Sequence, residues 1–282
     1  MNPMSYRLAY SLNAYTRWEL LPALDDAARL GFDGVELLAD APHWDEMTRL
    51  GGRTLRLELD RRGLGLSNIN VNTSRLHSPL GANEPGPGPT FLDPDPAARR
   101  LRIGHVVDAM RIAEDLEASH VCVSTGPSPA GTPPAAVADR LHEALEALLA
   151  EADRRRVDLA IEFEPDFYIG RTSDLLAWFE RMNHPRLGAN LDLGHAEVVG
   201  DAPAEAIRRL SPRIHNLHIE DIKGRVHHHL VPGEGDIDFR AIRRALDESG
   251  YRRFVTVELY TCADRPTEAG RESLVFLRRI FA

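Results

Sequence analysis

The 282-residue chain has 34 basic and 43 acidic residues, a formal net charge of -9, with 43% hydrophobic and 27% charged side chains. That balance is globular rather than disordered, and its acidity makes a phosphate backbone a poor partner, so no nucleic acid is expected. No run of 18 apolar residues predicts a membrane span, the start lacks the flank and apolar run of a signal peptide, and the two cysteines, Cys122 and Cys262, form no CxxC pattern, so a cytoplasmic protein without a disulfide framework or thiolate zinc site is expected.

The chain alternates short β-rich runs with longer amphipathic ones. Arg7 to Ser11 reads as a strand, Thr16 to Leu30 as a helix stopped by Gly31, and Gly34 to Leu38 as the second strand. A helix follows from Trp44 to Arg62, interrupted at Gly51-Gly52, and then a strand from Leu66 to Asn72. The Gly/Pro-rich stretch from Thr73 to Pro96 is too long for an ordinary connection, and a mobile loop over the active site is the expectation there. Helices from Ala97 to Leu116 and Pro134 to Arg155 flank a strand at Val121 to Ser124. Strands at Leu159 to Glu164, Leu187 to Leu193, Ile214 to Glu220 and Phe254 to Leu259 then alternate with helices at Thr172 to Met182, Pro203 to Leu210, Phe239 to Ser249 and Glu268 to Ile280.

About eight strands, each followed by a helix, predict one α/β domain over residues 1–282, a (β/α)8 TIM barrel. A doubly wound open sheet is the runner-up, but the turn after the first strand, Ser11-Leu-Asn-Ala-Tyr15, has none of the glycines of a phosphate-binding turn. For the same reason a phosphorylated substrate is not indicated.

In a parallel barrel, catalytic groups sit where strands end. The strand LAIEFEP puts Glu162 and Glu164 on one side, because strand side chains alternate. ANLDLGH puts Asn190 and Asp192 inward with His195 just beyond, IHNLHIED aligns Asn216, His218 and Glu220, and FVTVELY aligns Thr256, Glu258 and Tyr260. Several carboxylates near one axis require a cation or protons. Glu162, Asp192, His218 and Glu258, three carboxylates and an imidazole, suit a divalent ion (Mn2+, Mg2+, Co2+ or Zn2+) with positions open for substrate oxygens. His77, His120 and His215 read as structural. In VHHHLVPGEGDIDF a His-x-His pair is suited to a second metal or to substrate, and Asp238 to capping the next helix. Lys223 is the only lysine among the 34 basic residues, which either marks a place for a compact ammonium or is a chance survival of a composition that favours arginine.

These motifs together resemble the xylose-isomerase-like TIM barrels, a superfamily of sugar isomerases, ketose 3-epimerases, inosose dehydratases and nucleases of the endonuclease IV type. The resemblance begins at GFDGVE (Gly31 to Glu36) and runs through AIEFEP, NLDLGH, HNLHIED, HHLVPGEGDIDF and FVTVEL. It implies that Glu162, Asp192, His218 and Glu258 hold the metal, with Glu162 and Glu258 as catalytic proton carriers. It also implies a carbohydrate-like small-molecule substrate, with His195 and His229 touching it or lying near the metal and Glu36 facing the pocket or serving a structural role, and it allows a homodimer. Glu164 and Lys223 complete the candidate substrate contacts. Two departures stand out. Relatives often read HLKD where this chain has His218-Ile-Glu-Asp221, and the third and fourth strands end in Asn72-Thr73 and Ser124-Thr125, without the histidines of a three-metal nuclease. The expected chemistry is therefore isomerisation or epimerisation of a sugar or polyol ketone through an enediolate, with dehydration of a cyclic polyol ketone as the alternative.

Overall fold

The computed structural model describes residues 5–77, 86 and 88–281. Eight parallel strands close into a barrel in sequence order: β1 (Leu8–Ser11), β2 (Gly34–Leu38), β3 (Gly65–Asn70), β4 (His120–Ser124), β5 (Asp158–Glu162), β6 (Leu187–Asp192), β7 (Ile214–Ile219) and β8 (Val255–Val257), the last pairing with β1. Around them lie α1 (Leu20–Leu30), α2 (Trp44–Arg61), α3 (Pro96–Asp115), α4 (Pro134–Arg155), α5 (Thr172–Met182), α6 (Leu193–Val199), α7 (Pro203–Leu210), α8 (Phe239–Ser249) and α9 (Pro266–Phe281). The (β/α)8 barrel expected from the alternation is the fold observed. None of the described helices is long and apolar enough to cross a membrane.

The apolar core lies between sheet and helices. Strand residues such as Val35, Leu37, Val121, Val123, Ile161, Leu191 and Leu217 are essentially inaccessible and meet helix residues such as Leu24, Met47, Leu145 and Leu246. The barrel's interior is different. Ser11, Glu36, Asn68, Asn70, Asn190, Asn216, His218 and Thr256 are all buried and joined by hydrogen bonds. A polar interior of this kind holds together only if nearly every donor and acceptor is matched.

The predicted interruption at Gly51-Gly52 is a kink in α2. Gly51 takes φ 72° and ψ 160°, which a side chain strongly disfavours, and a Cβ on Gly52 would lie 2.5 Å from the Ile112 carbonyl of α3. The pair lets two helices touch.

Strand ends differ from expectation in a consistent way. β5, β7 and β8 stop at Glu162, Ile219 and Val257, so Glu164, Glu220 and Glu258 lie just past their strands. β6 passes directly into α6, whose first turn carries His195, where a longer strand and a loop were expected. Residues 78–85 and 87 of the predicted loop lie outside the described residues. Its start is pinned by Arg102 of α3, which is buried and donates to the carbonyls of Val71, Asn72 and Thr73 while stacking 4.8 Å from the Phe91 ring centroid.

Candidate metal centre and active site

Four strand ends bring Glu162, Asp192, His218 and Glu258 together at the carboxyl end of the barrel. All four are buried, and each offers one ligand atom within 4.8 Å of the others. The register explains this: Asp192 pairs with His218 across β6 and β7, and Glu162 with Asn190 across β5 and β6. His218 Nδ1 lies 3.5 Å from Glu162 Oε1, 3.9 Å from Asp192 Oδ2 and 3.4 Å from Glu258 Oε1.

Each member is also aimed from behind. Glu36 Oε2 accepts a hydrogen bond from His218 Nε2 at 2.6 Å, which turns Nδ1 toward the carboxylates. Asn72 and Asn190 donate to Glu162 Oε2, and Asn13 donates to Glu258 Oε1 at 2.8 Å with Asn70 at 3.3 Å. Asp192 Oδ1 accepts from the His195 amide at 2.7 Å and caps α6, which leaves Oδ2 for the cluster.

The electrostatics call for positive charge. Burial opposes charging His218, but Glu258, Glu36 and Glu162 outweigh it and hold its pKa well above the ordinary value. Burial likewise opposes ionisation of Asp192, yet His195, His229 and His218 keep its carboxyl below the usual range. Glu258 is held well above its ordinary value, by burial first and then by repulsion from Glu162 and Asp192. Glu162 Oε1 and Asp192 Oδ2 are buried without a hydrogen-bond partner. Orphaned oxygens beside an imidazole nitrogen fit a divalent cation, which would satisfy them all at once.

Above the cluster lies a cavity of about 450 Å³, lined by Glu162, Glu164, His195 and Glu258 together with Asn72, Arg75, Phe167 and Tyr260. Glu164 is half-buried on its wall, and burial raises its pKa to about 7. His195 Nδ1 donates to the Phe163 carbonyl at 3.1 Å and its buried Nε2 has no partner. Burial opposes charge on His195, but Asp192, Glu164 and Glu162 together raise its pKa.

Two expected substrate contacts, Glu36 and Lys223, lie off the cavity wall. Glu36 lies beneath the cluster and off the cavity wall. Its oxygens are taken up by Ser11, Asn68, Asn70, Asn216 and His218, so it supports the ligands instead of facing the pocket. Lys223 is exposed on the turn after β7 and does not line the cavity. Asp221 is the reason: its carboxylate accepts from the amides of Ile222, Gly233, Gly235 and Ile237, which ties both ends of the loop down and turns its tip outward. His229, expected to touch substrate or lie near the metal, is fully buried behind Tyr260, with ring centroids 4.5 Å apart and its Nδ1 3.5 Å from Glu258 Oε2, and burial lowers its pKa to about 3.

Sequence reasoning missed several residues here. Asn13, Asn70 and Asn72 hold the carboxylates, but nothing in their spacing signals it. Glu220 was aligned with His218 yet given no role. Its carboxyl is buried against Asp192, neither oxygen meets a donor, and burial and then Asp192 hold its pKa well above ordinary. Asp192, Glu220, His229 and Glu258 form a second group with ligand-type atoms within 4.8 Å of one another, and His195, His227 and His229 a third. The predicted His-x-His pair thus faces His195, with ring centroids 4.8 and 5.4 Å from it.

Residues 24–280 match the family of the xylose isomerase-like TIM barrel. The chain belongs to that family. It is 26% identical over 266 residues to a fructoselysine 3-epimerase of Escherichia coli O157:H7, covering 92% of each chain. Over 141 residues it is 28% identical to an inosose dehydratase of Lacticaseibacillus casei, which is 43% of this chain and 46% of that one. Among solved structures, an IOLI protein with a bound zinc atom superposes with a TM-score of 0.80 at 18% identity, over 99% of this chain and 98% of that one.

Proposed function

We propose that this family member is a divalent-metal-dependent epimerase or isomerase of a keto sugar or related polyol ketone, acting through an enediolate. The observation that carries this reading is the buried set Glu162, Asp192, His218 and Glu258, with its orphaned oxygens, of which Glu162 and Glu258 line the cavity. The epimerase named among the relatives, aligned over nearly the whole chain, supports the same chemistry. So does the zinc in the structural neighbour, although the identity of the ion here rests on the donor set alone.

A cation of the Mn2+, Mg2+, Co2+ or Zn2+ type, held by those four residues, would polarise a ketone and acidify the adjacent carbon. Glu162 and Glu258 approach from separate strands, β5 and β8. One removes the proton from the carbon beside the ketone and the other returns a proton to it, which inverts that carbon. The asparagine amides on each carboxylate fix its orientation. His195, through its free Nε2, and Glu164, with a pKa near neutrality, bind substrate hydroxyls and exchange protons with them.

A second reading keeps the same proton abstraction and then expels a β-hydroxyl as water, making the chain a dehydratase of a cyclic polyol ketone; the inosose dehydratase relative favours retaining it. A nuclease reading lacks histidines on β3 and β4 at the site. The test is NMR of candidate ketoses and inososes with the metal-loaded protein in heavy water. Epimerisation predicts deuterium at one substrate carbon and a new diastereomer, abolished by Glu162→Gln. Deuterium uptake that survives Glu162→Gln rules out its assigned role, and loss of water without a diastereomer selects the dehydratase.

A further inference from the structure

Among the described residues, the wall of the cavity carries one guanidinium, that of Arg75, beside side chains that are otherwise acidic or neutral apart from His195. Arg75 opens a short turn, Arg75–His77, just past β3. Asp40 fixes that turn through its backbone. Asp40 Oδ2 accepts from the Arg75 amide at 3.0 Å and from the Thr73 hydroxyl, while Oδ1 accepts from the amides of Leu76 at 3.0 Å and Ala41 at 2.8 Å.

Asp40 therefore has both oxygens occupied by the turn it organises. The nearest approach of the Arg75 guanidinium to it is 4.0 Å, at Nε, too long for a hydrogen bond. That Nε is buried without a partner, and the Arg75 side chain makes no hydrogen bond among the described residues. A planar five-donor fork left open inside a cavity is matched best by two coplanar anionic oxygens; isolated hydroxyls satisfy one donor each.

We propose that the substrate carries an anionic group, a carboxylate or a phosphate, at the end remote from the ketone, and that Arg75 binds it. The proposal rests on the sugar-site reading above and narrows it to acidic keto sugars. It also explains why a site built from carboxylates keeps an arginine that touches Asp40 only at 4.0 Å and has no hydrogen-bonded partner: the acids attract a cation at the floor, and Arg75 separates the charged end of the substrate from them. No glycine-rich phosphate turn is needed, since the guanidinium itself reads the anion.

The test is isothermal titration calorimetry of the manganese-loaded protein with three inert polyols: D-glucitol, D-gluconate and D-glucitol 6-phosphate. One or both anions should bind at least about tenfold more tightly than glucitol, as expected for a charge-assisted pair. The stronger of the two identifies the group, and added salt should narrow the gap. Arg75→Gln should bring the anions down to the glucitol level, and Arg75→Lys should restore part of the gap because it keeps the charge without the fork. Retained manganese stoichiometry and near-UV circular dichroism establish that the variants are folded. Glucitol binding as tightly as both anions overturns the proposal, as does a gap that Arg75→Gln leaves intact. If none of the three binds, the sugar-site reading falls with it.

Discussion

His218 Nε2 donates to Glu36 Oε2 at 2.6 Å, and neither side chain has any solvent exposure. The bond joins residues 182 positions apart and decides which ring nitrogen faces the carboxylate cluster. Glu36 is thus part of the metal site without touching the ion. Replacing it by Gln keeps the shape but weakens the acceptor. Cation affinity should fall roughly 10–100-fold, the usual effect of losing such a supporting partner. Metal titration of Glu36→Gln checks this, and unchanged affinity would contradict the role assigned to Glu36.

Asp192 has two separable jobs. Oδ1 caps α6 through the His195 amide, while Oδ2 faces the cluster. Asn caps helices about as well as Asp but is a poor cation ligand. Asp192→Asn should therefore lose metal binding and keep the metal-free melting temperature near that of the parent. Asp192→Ala should lose both, with about 1 kcal/mol of stability gone with the cap. Thermal melts of both variants with metal removed distinguish the two jobs.

Acid should weaken the metal-free fold through histidines outside the cluster. Burial lowers the pKa of His43, His105 and His215 to about 4. Each is neutral in the folded chain and takes up a proton on unfolding once the pH drops below about 6.5. Stability is therefore full above that value and declines as the pH falls toward 4, by at most ~1.4 kcal/mol per pH unit for each histidine. Denaturant titrations of metal-free protein between pH 7 and 4.5 should show this slope. His105→Gln should flatten it, and an identical slope in that variant would remove His105 from the account.

Gly194 gives room to Glu220. A Cβ at position 194 would lie 1.9 Å from Glu220 Oε1 and 2.8 Å from its carboxyl carbon. Gly194→Ala must displace the buried Glu220 carboxyl, and a cost of about 1–3 kcal/mol is expected for overpacking a buried site. Pairing it with Glu220→Ala should recover most of that loss in denaturant melts, whereas additive losses would show that the two residues do not compete for space.

Much of this molecule was legible one element at a time. The alternation of β-rich and amphipathic runs predicted the barrel, because each period reports a local backbone geometry. Strand parity placed Asp192 and His218 on the inner face, because alternate residues on a strand share a side. The kink at Gly51-Gly52 and the cap at Asp238, which accepts from the amides of Arg240 and Ala241, are local as well.

The misreadings have a shared cause. Lys223 was marked by its rarity, but Asp221 bends its loop outward through amides up to 16 residues away. Glu36 carried a family motif, yet its direction is set by Ser11 and by asparagines on β3 and β7. Glu164 and Glu258 fell past their strands because strand ends depend on where neighbouring strands stop pairing.

The sequence alone therefore determined the barrel and the identities of the side chains gathered at its carboxyl end, since both follow from short-range periodicity repeated eight times. Only the closed tertiary structure decided which asparagines hold the carboxylates, that Glu36 orients His218, that Glu220 is buried against Asp192, and that Arg75 rather than Lys223 reaches the cavity. Those contacts depend on how far each strand is staggered when β1 meets β8, a property of the closed ring that no local stretch of chain encodes.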